Sequence, residues 1–208
     1  MKRVYVVADL VGSSGVRVAE QCAPGTAAWS ESRPWLTADV NAVVGAAFGA
    51  GAEEVLVCDA HASGNNLLLD ALDSRAIVEE PFGPHMLPGI SDEFAGLLVV
   101  GAHAMAGARD AFFDHTWDTA KWFRYRLAGD DCGEIGLWAA YAGHFNVPLL
   151  LVIGDAAACR EAESFVPGVE TFAVKEAISR DHARTMHPAE AAKYIAEAAG
   201  RAVAILRR

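Results

Sequence analysis

The run VYVVA at residues 4–8 decides the fold, because it is short, apolar and followed at once by a carboxylate, Asp9. A strand that is apolar at every position is buried on both faces, as the strands of parallel sheets are. The same pattern returns in three further runs, VLVC at 55–58, LLVVGA at 97–102 and VPLLLVIG at 147–154. Helical patterns lie between them. The alternation predicts an α/β protein, a three-layer α/β/α sandwich with a mostly parallel (mixed) central sheet.

The segments between these runs carry the signals of helices, a hairpin and loops. A helix at 34–50 is expected to begin at Pro34, since proline suits a first helical turn, and to end in GAGA. RYRLAGDDCGE at 124–134 predicts a hairpin that turns at 129–131. The remaining expected elements are helices at 133–144, 155–165 and 188–208, a strand at 169–175, and long loops at 12–33 and 79–95.

The composition indicates one globular domain and excludes several kinds of partner. Hydrophobic residues make up 53% of the chain and charged residues 21%, and the net charge of −10 with no basic stripe argues against binding nucleic acid. The apolar run that stops at Asp9 is too short for a signal peptide or a membrane span. No CxxC pair occurs, so reduced and mostly buried thiols are expected at Cys22, Cys58, Cys132 and Cys159. We therefore expect a cytoplasmic protein with no membrane partner.

Metal-capable side chains follow three of the buried runs. Asp9 follows the first, His61 comes just after VLVCDA, His103 follows LLVVGA, and Glu134 opens the helix after the hairpin. Because the carboxyl ends of parallel strands meet at one edge, these side chains are expected to lie together. Two imidazoles and two carboxylates suit zinc, with manganese or cobalt as alternatives. Taken singly, each acid could instead cap a turn or helix, and each histidine could be a loop residue without a ligand role.

Two further positions have two interpretations each. His115, in the stretch FFDHTWD, is either a general acid/base or transition-state stabiliser, or a structural histidine paired with Asp114 or Asp118. Asp59, two residues before His61, either orients a ligating imidazole or caps its own loop.

A series of stretches in this chain resembles the D-aminopeptidase family of zinc metallopeptidases. The resemblance covers the chain from the first strand nearly to the C-terminus, and the number, order and spacing of the stretches make it specific. They are ADLVGSSG (8–15), EVLVCDAHASGNN (54–66), VVGAHAMAG (99–107), DHTWD (114–118), GEIGLWAAYAG (133–143), VPLLLVIGD (147–155) and VKEAISR (174–180).

The resemblance implies an α/β/α fold with a two-metal zinc site. In that site Asp9 matches the carboxylate that bridges the metals, and His61, His103 and Glu134 match further metal ligands. His115 matches the catalytic histidine. Family members cleave small peptides with a D-amino acid at the N-terminus and assemble into rings, so a homo-oligomer with a small peptide or amide substrate is expected.

The chain departs from the family pattern in two places. The family motif Asp-x-Glu-Gly, whose Glu is a metal ligand, reads Asp9-Leu10-Val11-Gly12 here, and a valine cannot coordinate a metal. One zinc per chain, a second zinc held weakly, and a second zinc held by another donor such as Asp59 are all open outcomes. The family also continues past the C-terminal helix, so 1–208 is expected to be a single metallohydrolase domain that lacks the usual C-terminal extension.

These observations predict a metal-dependent hydrolase of small peptides or amides, a D-aminopeptidase-like aminopeptidase that uses metal-activated water. One alternative is a related amidohydrolase that acts on a different small amide in a biosynthetic or catabolic pathway. Another is a non-catalytic binding protein that kept the fold, which only Val11 favours. Retention of the four matched ligands and of His115 argues against this last alternative.

Overall fold

The centre of the molecule is a seven-stranded sheet with the strand order β3-β2-β1-β4-β7-β8-β9. The computed structural model describes residues 2–80 and 85–207. All neighbouring strands pair in parallel except β8 and β9, which are antiparallel. The strands are β1 (Arg3–Ala8), β2 (Glu54–Asp59), β3 (Ala76–Glu79), β4 (Phe94–Ala102), β7 (Leu149–Asp155), β8 (Glu170–Ser179) and β9 (His182–Thr185), and β5 (Arg126–Leu127) and β6 (Asp130–Asp131) form a separate hairpin.

Helices cover both faces of this sheet, so the predicted three-layer α/β/α fold is confirmed. Along β1 the side chains alternate: Val4 and Val6 pack into one apolar core, and Tyr5 and Val7 into the other. The first core includes residues of α1 and α4, and the second includes residues of α2 and α3. The helices are α1 (Ala27–Gly49), α2 (Glu134–His144), α3 (Ala156–Phe165) and α4 (Pro188–Ala204), with short 3₁₀ turns at Ala19–Cys22, Leu69–Ala71 and Ile205–Arg207.

Helix α1 begins seven residues earlier than the proline signal predicted. Thr26 caps it by accepting a hydrogen bond from the Trp29 N–H at 3.0 Å, and Pro34 lies inside the helix. A proline in a helix interior removes one backbone hydrogen bond, a cost that the burial of α1 against the sheet offsets. The prediction that Pro34 starts the helix was therefore wrong, as was the prediction that residues 12–33 form one long loop.

The sheet edges were only partly predicted. Strands β3 and β9 had no apolar run to reveal them, because both lie at edges and half of their side chains face outward. The hairpin is confirmed, but it turns at Ala128 and Gly129 rather than at 129–131, since Asp130 and Asp131 form β6. Ala128 and Gly129 both have positive φ, as a two-residue turn requires. The predicted loop at 79–95 lies between β3 and β4, and its residues 81–84 are outside the described residues.

The strand order places a crevice beside β1. Successive strands β2 and β3 lie on one side of β1, and β4, β7 and β8 lie on the other, so the loops that leave β1 and β4 diverge at their carboxyl ends. Two glycines let the end of β4 pack backbone to backbone against the start of the loop that follows β1. A Cβ on Gly101, where φ is +76°, would lie 1.8 Å from the Asp9 carbonyl oxygen, and one on Gly12 would lie 1.9 Å from that of Ala102. The start of each loop is thereby held in place.

The cysteines agree with the expectation of reduced and buried thiols. All four cysteines are free and buried. Within the described residues, no helix combines the length and the apolar character needed to cross a bilayer.

Candidate metal centre

The structure brings the four predicted ligands together at the carboxyl edge of the sheet. Asp9 follows β1, His61 lies two residues beyond β2, His103 follows β4, and Glu134 is the first residue of α2. All four side chains are buried. Their approach is a consequence of topology, because β2, β1 and β4 are adjacent and parallel.

Asp9 divides the cluster, because each of its carboxylate oxygens faces a different imidazole. Oδ1 lies 3.1 Å from Nδ1 of His61 and also accepts the Val11 N–H at 2.9 Å. Oδ2 lies 3.5 Å from Nε2 of His103. We refer to the groups around Oδ2 as the His103 side, comprising His103, Glu134 and His115, and to Oδ1 with His61 as the His61 side.

The His103 side carries more donors than the His61 side. Nε2 of His103 lies 3.4 Å from Oε1 of Glu134, and that oxygen accepts the backbone N–H of Trp117 at 2.8 Å. The ring of His115 stacks on that of His103 with centroids 3.9 Å apart and planes 10° apart. One donor atom from each of His103, His115 and Glu134 lies within 4.8 Å of the others. Two imidazoles and a carboxylate form a donor set that suits zinc.

The charges of the cluster favour a cation. Burial acts to lower the pKa of His103, but Glu134 and Asp9 together raise it to about 10. Burial also opposes a charged His61, yet the hydrogen bond and charge of Asp9 hold its pKa above the usual value. Burial acts to raise the pKa of Asp9, whereas His61 and His103 hold it below its usual range. The field that attracts protons to these imidazoles equally favours a divalent ion, which would take the place of those protons.

The contacts of His115 do not match its interpretation as a structural histidine paired with Asp114 or Asp118. Its Nδ1 lies 2.7 Å from the Phe113 carbonyl oxygen, so Nδ1 carries the proton and Nε2 keeps a lone pair. Burial, and then the charge of His103, lower the pKa of His115, which favours this neutral form. Asp114 accepts from Gly107 N–H and Arg180 instead, and Asp118 from Lys121. The aspartate pairing is therefore not what places this histidine.

Strained backbone surrounds His115. Phe113 and Trp117 have φ of +48° and +61°, a region that is unfavourable for aromatic residues. Such strain persists where the surroundings determine a conformation, and it is common at functional sites. Here the loop is held by the hydrogen bond from the Trp117 backbone N–H to Glu134 and by the bond from His115 Nδ1–H to the Phe113 carbonyl oxygen. The loop thus delivers His115 to the cluster.

The second nitrogen of His61 is also held by the backbone. Nε2 lies 2.8 Å from the Cys22 carbonyl oxygen and donates to it, while Nδ1 faces Asp9, where a metal ion would take the place of the Nδ1 proton. Metal-ligating histidines commonly donate their other N–H to a carbonyl or carboxylate in this way. The contribution of Cys22 was not evident from the sequence, because it acts through its backbone.

Asp59 stabilises its own loop by hydrogen bonds. Its Oδ2 accepts the backbone N–H groups of Asn66 and Leu67 at 2.6 and 3.1 Å, and its Oδ1 accepts the Asn66 side-chain amide at 2.8 Å. The loop-capping interpretation of Asp59 is thus confirmed. Both oxygens of Asp59 are therefore hydrogen-bonded within its own loop.

A buried lysine supports the loop that carries Asp9. Nζ of Lys175 donates to the carbonyls of Val11 and Val16 at 2.8 and 2.7 Å, and burial lowers its pKa to about 8. Asp39 accepts from the backbone and hydroxyl of Ser14 in the same loop, both at 2.7 Å. This support was not predicted from the sequence, although the lysine within VKEAISR was a signal for it. The side chain of Val11 itself is fully buried in the apolar core.

A cavity of about 200 Å³ opens onto the cluster. Its polar wall contains Asp9, His61, His115 and Glu134, and its other wall is mostly apolar. The apolar wall is formed by Cys22, Pro24, Met86, Trp117 and Trp138, with Ala60 and Ala62. A small apolar cavity with convergent polar groups on one wall is the usual form of a small-molecule site.

The α/β/α fold with a cluster of imidazoles and carboxylates at its switch point defines a metal-dependent hydrolase. Comparisons with known proteins give the family. The D-aminopeptidase family model matches residues 1–208. The D-aminopeptidase of Bacillus subtilis (strain 168) is 34% identical over 199 residues, which cover 94% of this chain and 71% of that protein. A solved structure is also similar, that of the Zn-dependent D-aminopeptidase DppA from Bacillus subtilis, a self-compartmentalizing protease. It aligns with a TM-score of 0.92 and 31% sequence identity, and the alignment covers 97% of this chain and 73% of that one.

The chain therefore belongs to the D-aminopeptidase family. This membership confirms the predicted metallopeptidase class and favours it over both the amidohydrolase and the binding-protein alternatives.

Proposed function

We propose that this chain is a zinc-dependent aminopeptidase that removes a D-amino acid from the N-terminus of small peptides. The observation that carries the proposal is the convergence of His103, His115 and Glu134 beside Asp9, at the mouth of a small cavity. The substrate is inferred from the two relatives, which are D-aminopeptidases.

The donor set of the His103 side fits a zinc ion. Zinc binds nitrogen and oxygen ligands at about 2.0–2.2 Å, so two ligands of one ion lie roughly 3–4 Å apart. The distances from His103 Nε2 to Asp9 and Glu134, 3.5 and 3.4 Å, fall in this range. We assign Asp9, His103 and Glu134 as the zinc ligands on the His103 side. On the His61 side of Asp9, we assign His61 as a metal ligand. When bound, zinc supplies Lewis-acid chemistry, in which the pKa of water falls and a carbonyl is polarised.

The residues of the chain provide the remaining functions. His115 faces the cavity that opens onto the cluster with a free Nε2 lone pair, because Nδ1 donates to Phe113. It can therefore accept a proton during attack by water and return it to the leaving amine. The apolar wall formed by Met86, Trp117 and Trp138 excludes water from the side chain of the N-terminal residue.

A panel of matched peptides tests the substrate. We expect zinc-loaded protein to cleave D-Ala-Gly-Gly with kcat/KM at least about tenfold above that for L-Ala-Gly-Gly, since an inverted Cα exchanges side chain and hydrogen in a walled cavity. Release of free alanine, followed by chromatography, is the readout. Cleavage of simple amides with neither tripeptide hydrolysed would instead support the amidohydrolase alternative.

Metal stoichiometry tests whether the His61 side is incomplete. We expect wild-type protein to hold about one zinc per chain and Val11→Glu about two, because a carboxylate there would add a third donor beside Asp9 and His61. Elemental analysis of protein purified without chelator measures this. Val11→Gln serves as a control of the same size, and melting temperatures check that both variants fold despite burying a polar side chain. A folded Val11→Glu protein that still holds one zinc would contradict the assignment.

We further propose a cytoplasmic homo-oligomer. The support is the self-compartmentalizing description of the related DppA together with exposed aromatic side chains at Trp122 and Phe123. Light scattering in solution tests the assembly, and fractionation of cells tests the location.

A further inference from the structure

We propose that the cavity on the far side of His115 binds the C-terminal part of a short peptide, whose free carboxylate pairs with Arg180. The proposal rests on the proposed function and extends it to a substrate class, short peptides with an unblocked C-terminus. It also sets the direction in which the peptide lies.

The first observation is that His115 belongs to two cavities. The cavity of about 200 Å³ on one side contains Asp9 and Glu134. The cavity on the other side has about 440 Å³ and is lined by Lys121, Arg180 and other residues. A further cavity of about 210 Å³ shares Ala106, Gly107 and Phe123 with the second. A peptide whose scissile bond lies at His115 would extend into this larger space.

The second observation is the distribution of charge. The carboxylates of the smaller cavity, Asp9 and Glu134, are assigned as zinc ligands, and a bound zinc ion would balance their charge. The larger cavity contains two cations, Lys121 and Arg180, against one carboxylate, Asp114. A peptide carries an ammonium at one end and a carboxylate at the other. An aminopeptidase cleaves beside the N-terminal residue, so the carboxylate is the end that reaches the larger cavity, where the excess of positive charge complements it.

The third observation is the geometry of Arg180. Its Nε donates to Asp114 Oδ1 at 2.8 Å and its Nη2 to the Asp114 carbonyl oxygen at 2.9 Å. Nη1 makes no hydrogen bond to residues 2–80 or 85–207. The guanidinium also lies 5.7 Å from the centroid of the Phe113 ring. Two of its nitrogens are thus fixed while a third is available, which is a prepared arrangement for a carboxylate.

A neighbouring cavity shows which side of Arg180 is involved. Asp114 and Arg180 also line a cavity of about 310 Å³ that contains Asp110. That cavity has two carboxylates and one cation, so it disfavours an anion. Lys121, whose partner Asp118 does not line the larger cavity, adds positive charge only on the side that His115 shares.

The test compares two substrates that differ only at the C-terminus, D-Ala-Ala with a free carboxylate and the same dipeptide as its C-terminal amide. We expect wild-type kcat/KM to be about tenfold higher for the free acid, the scale of a charge-assisted hydrogen bond. In Arg180→Gln the ratio should fall to about one, mainly through a higher KM for the acid, and Lys121→Gln should lower it partly. Arg201→Gln is the matched control, since Arg201 is equally exposed at 57% and likewise paired with an acid, Glu170.

The outcomes separate this inference from the proposed function. A wild-type ratio near one, or an Arg180→Gln protein that loses activity on both substrates equally with its zinc retained, would overturn the inference and leave the aminopeptidase intact. The second result would show that Arg180 only braces Asp114. If wild-type protein releases alanine from neither substrate, nor from the tripeptides above, the proposed function fails and this inference fails with it.

Discussion

Replacing His115 with alanine is expected to lower kcat by about 10²–10⁴-fold while zinc content stays at the wild-type level. The imidazole donates Nδ1–H to Phe113 and faces the cavity with Nε2, so its loss removes the proton carrier and leaves Asp9, His103 and Glu134 in place. Steady-state kinetics on a D-aminoacyl peptide and elemental analysis of the same preparation measure the two quantities.

The exposed His144 at the end of α2 gives a control, since His144→Ala removes an imidazole away from the cavity. The metal readout is essential because His115 lies within 4.8 Å of His103 and Glu134. If His115→Ala loses zinc together with activity, His115 is a ligand and the catalytic assignment is wrong.

Replacing His103 with alanine is expected to reduce zinc from about one ion per chain to nearly none, and activity with it. Nε2 of His103 is the atom that both Asp9 Oδ2 and Glu134 Oε1 approach, at 3.5 and 3.4 Å. Its removal leaves two buried carboxylates with a single imidazole, His115, on that side. Zinc titration followed by calorimetry measures the loss without reference to catalysis.

His61→Ala is the matched comparison for this experiment. His61 lies on the other side of Asp9, where two donors face each other, so its loss should leave most of the zinc bound. Equal loss of zinc in His61→Ala and His103→Ala would show that the two sides of Asp9 act as one site. It would contradict the division of the cluster into a His103 side and a His61 side.

Much of the fold was predictable because buried strands consist mostly of apolar residues. The apolar runs at 4–8, 55–58 and 97–102 fall within strands β1, β2 and β4, and the run at 147–154 lies in β7 apart from its first two residues. The site followed from the same pattern, since a polar side chain directly after a buried parallel strand must lie at the carboxyl edge. Asp9 and His103 were found in this way. Edge strands β3 and β9 were not, because half-exposed strands carry no apolar run.

The sequence by itself therefore determined the α/β/α class and the set of side chains at its carboxyl edge. Only the tertiary structure decided how those side chains are divided and supported. It showed that both carboxylate oxygens of Asp59 accept hydrogen bonds from its own loop and that the ring of His115 stacks on that of His103. It also showed that Lys175 donates a hydrogen bond to the carbonyl of Val11, which lies 164 residues away in the chain. The physical reason is that periodicity encodes whether a residue is buried, whereas hydrogen-bond partners and ring contacts depend on where distant segments meet.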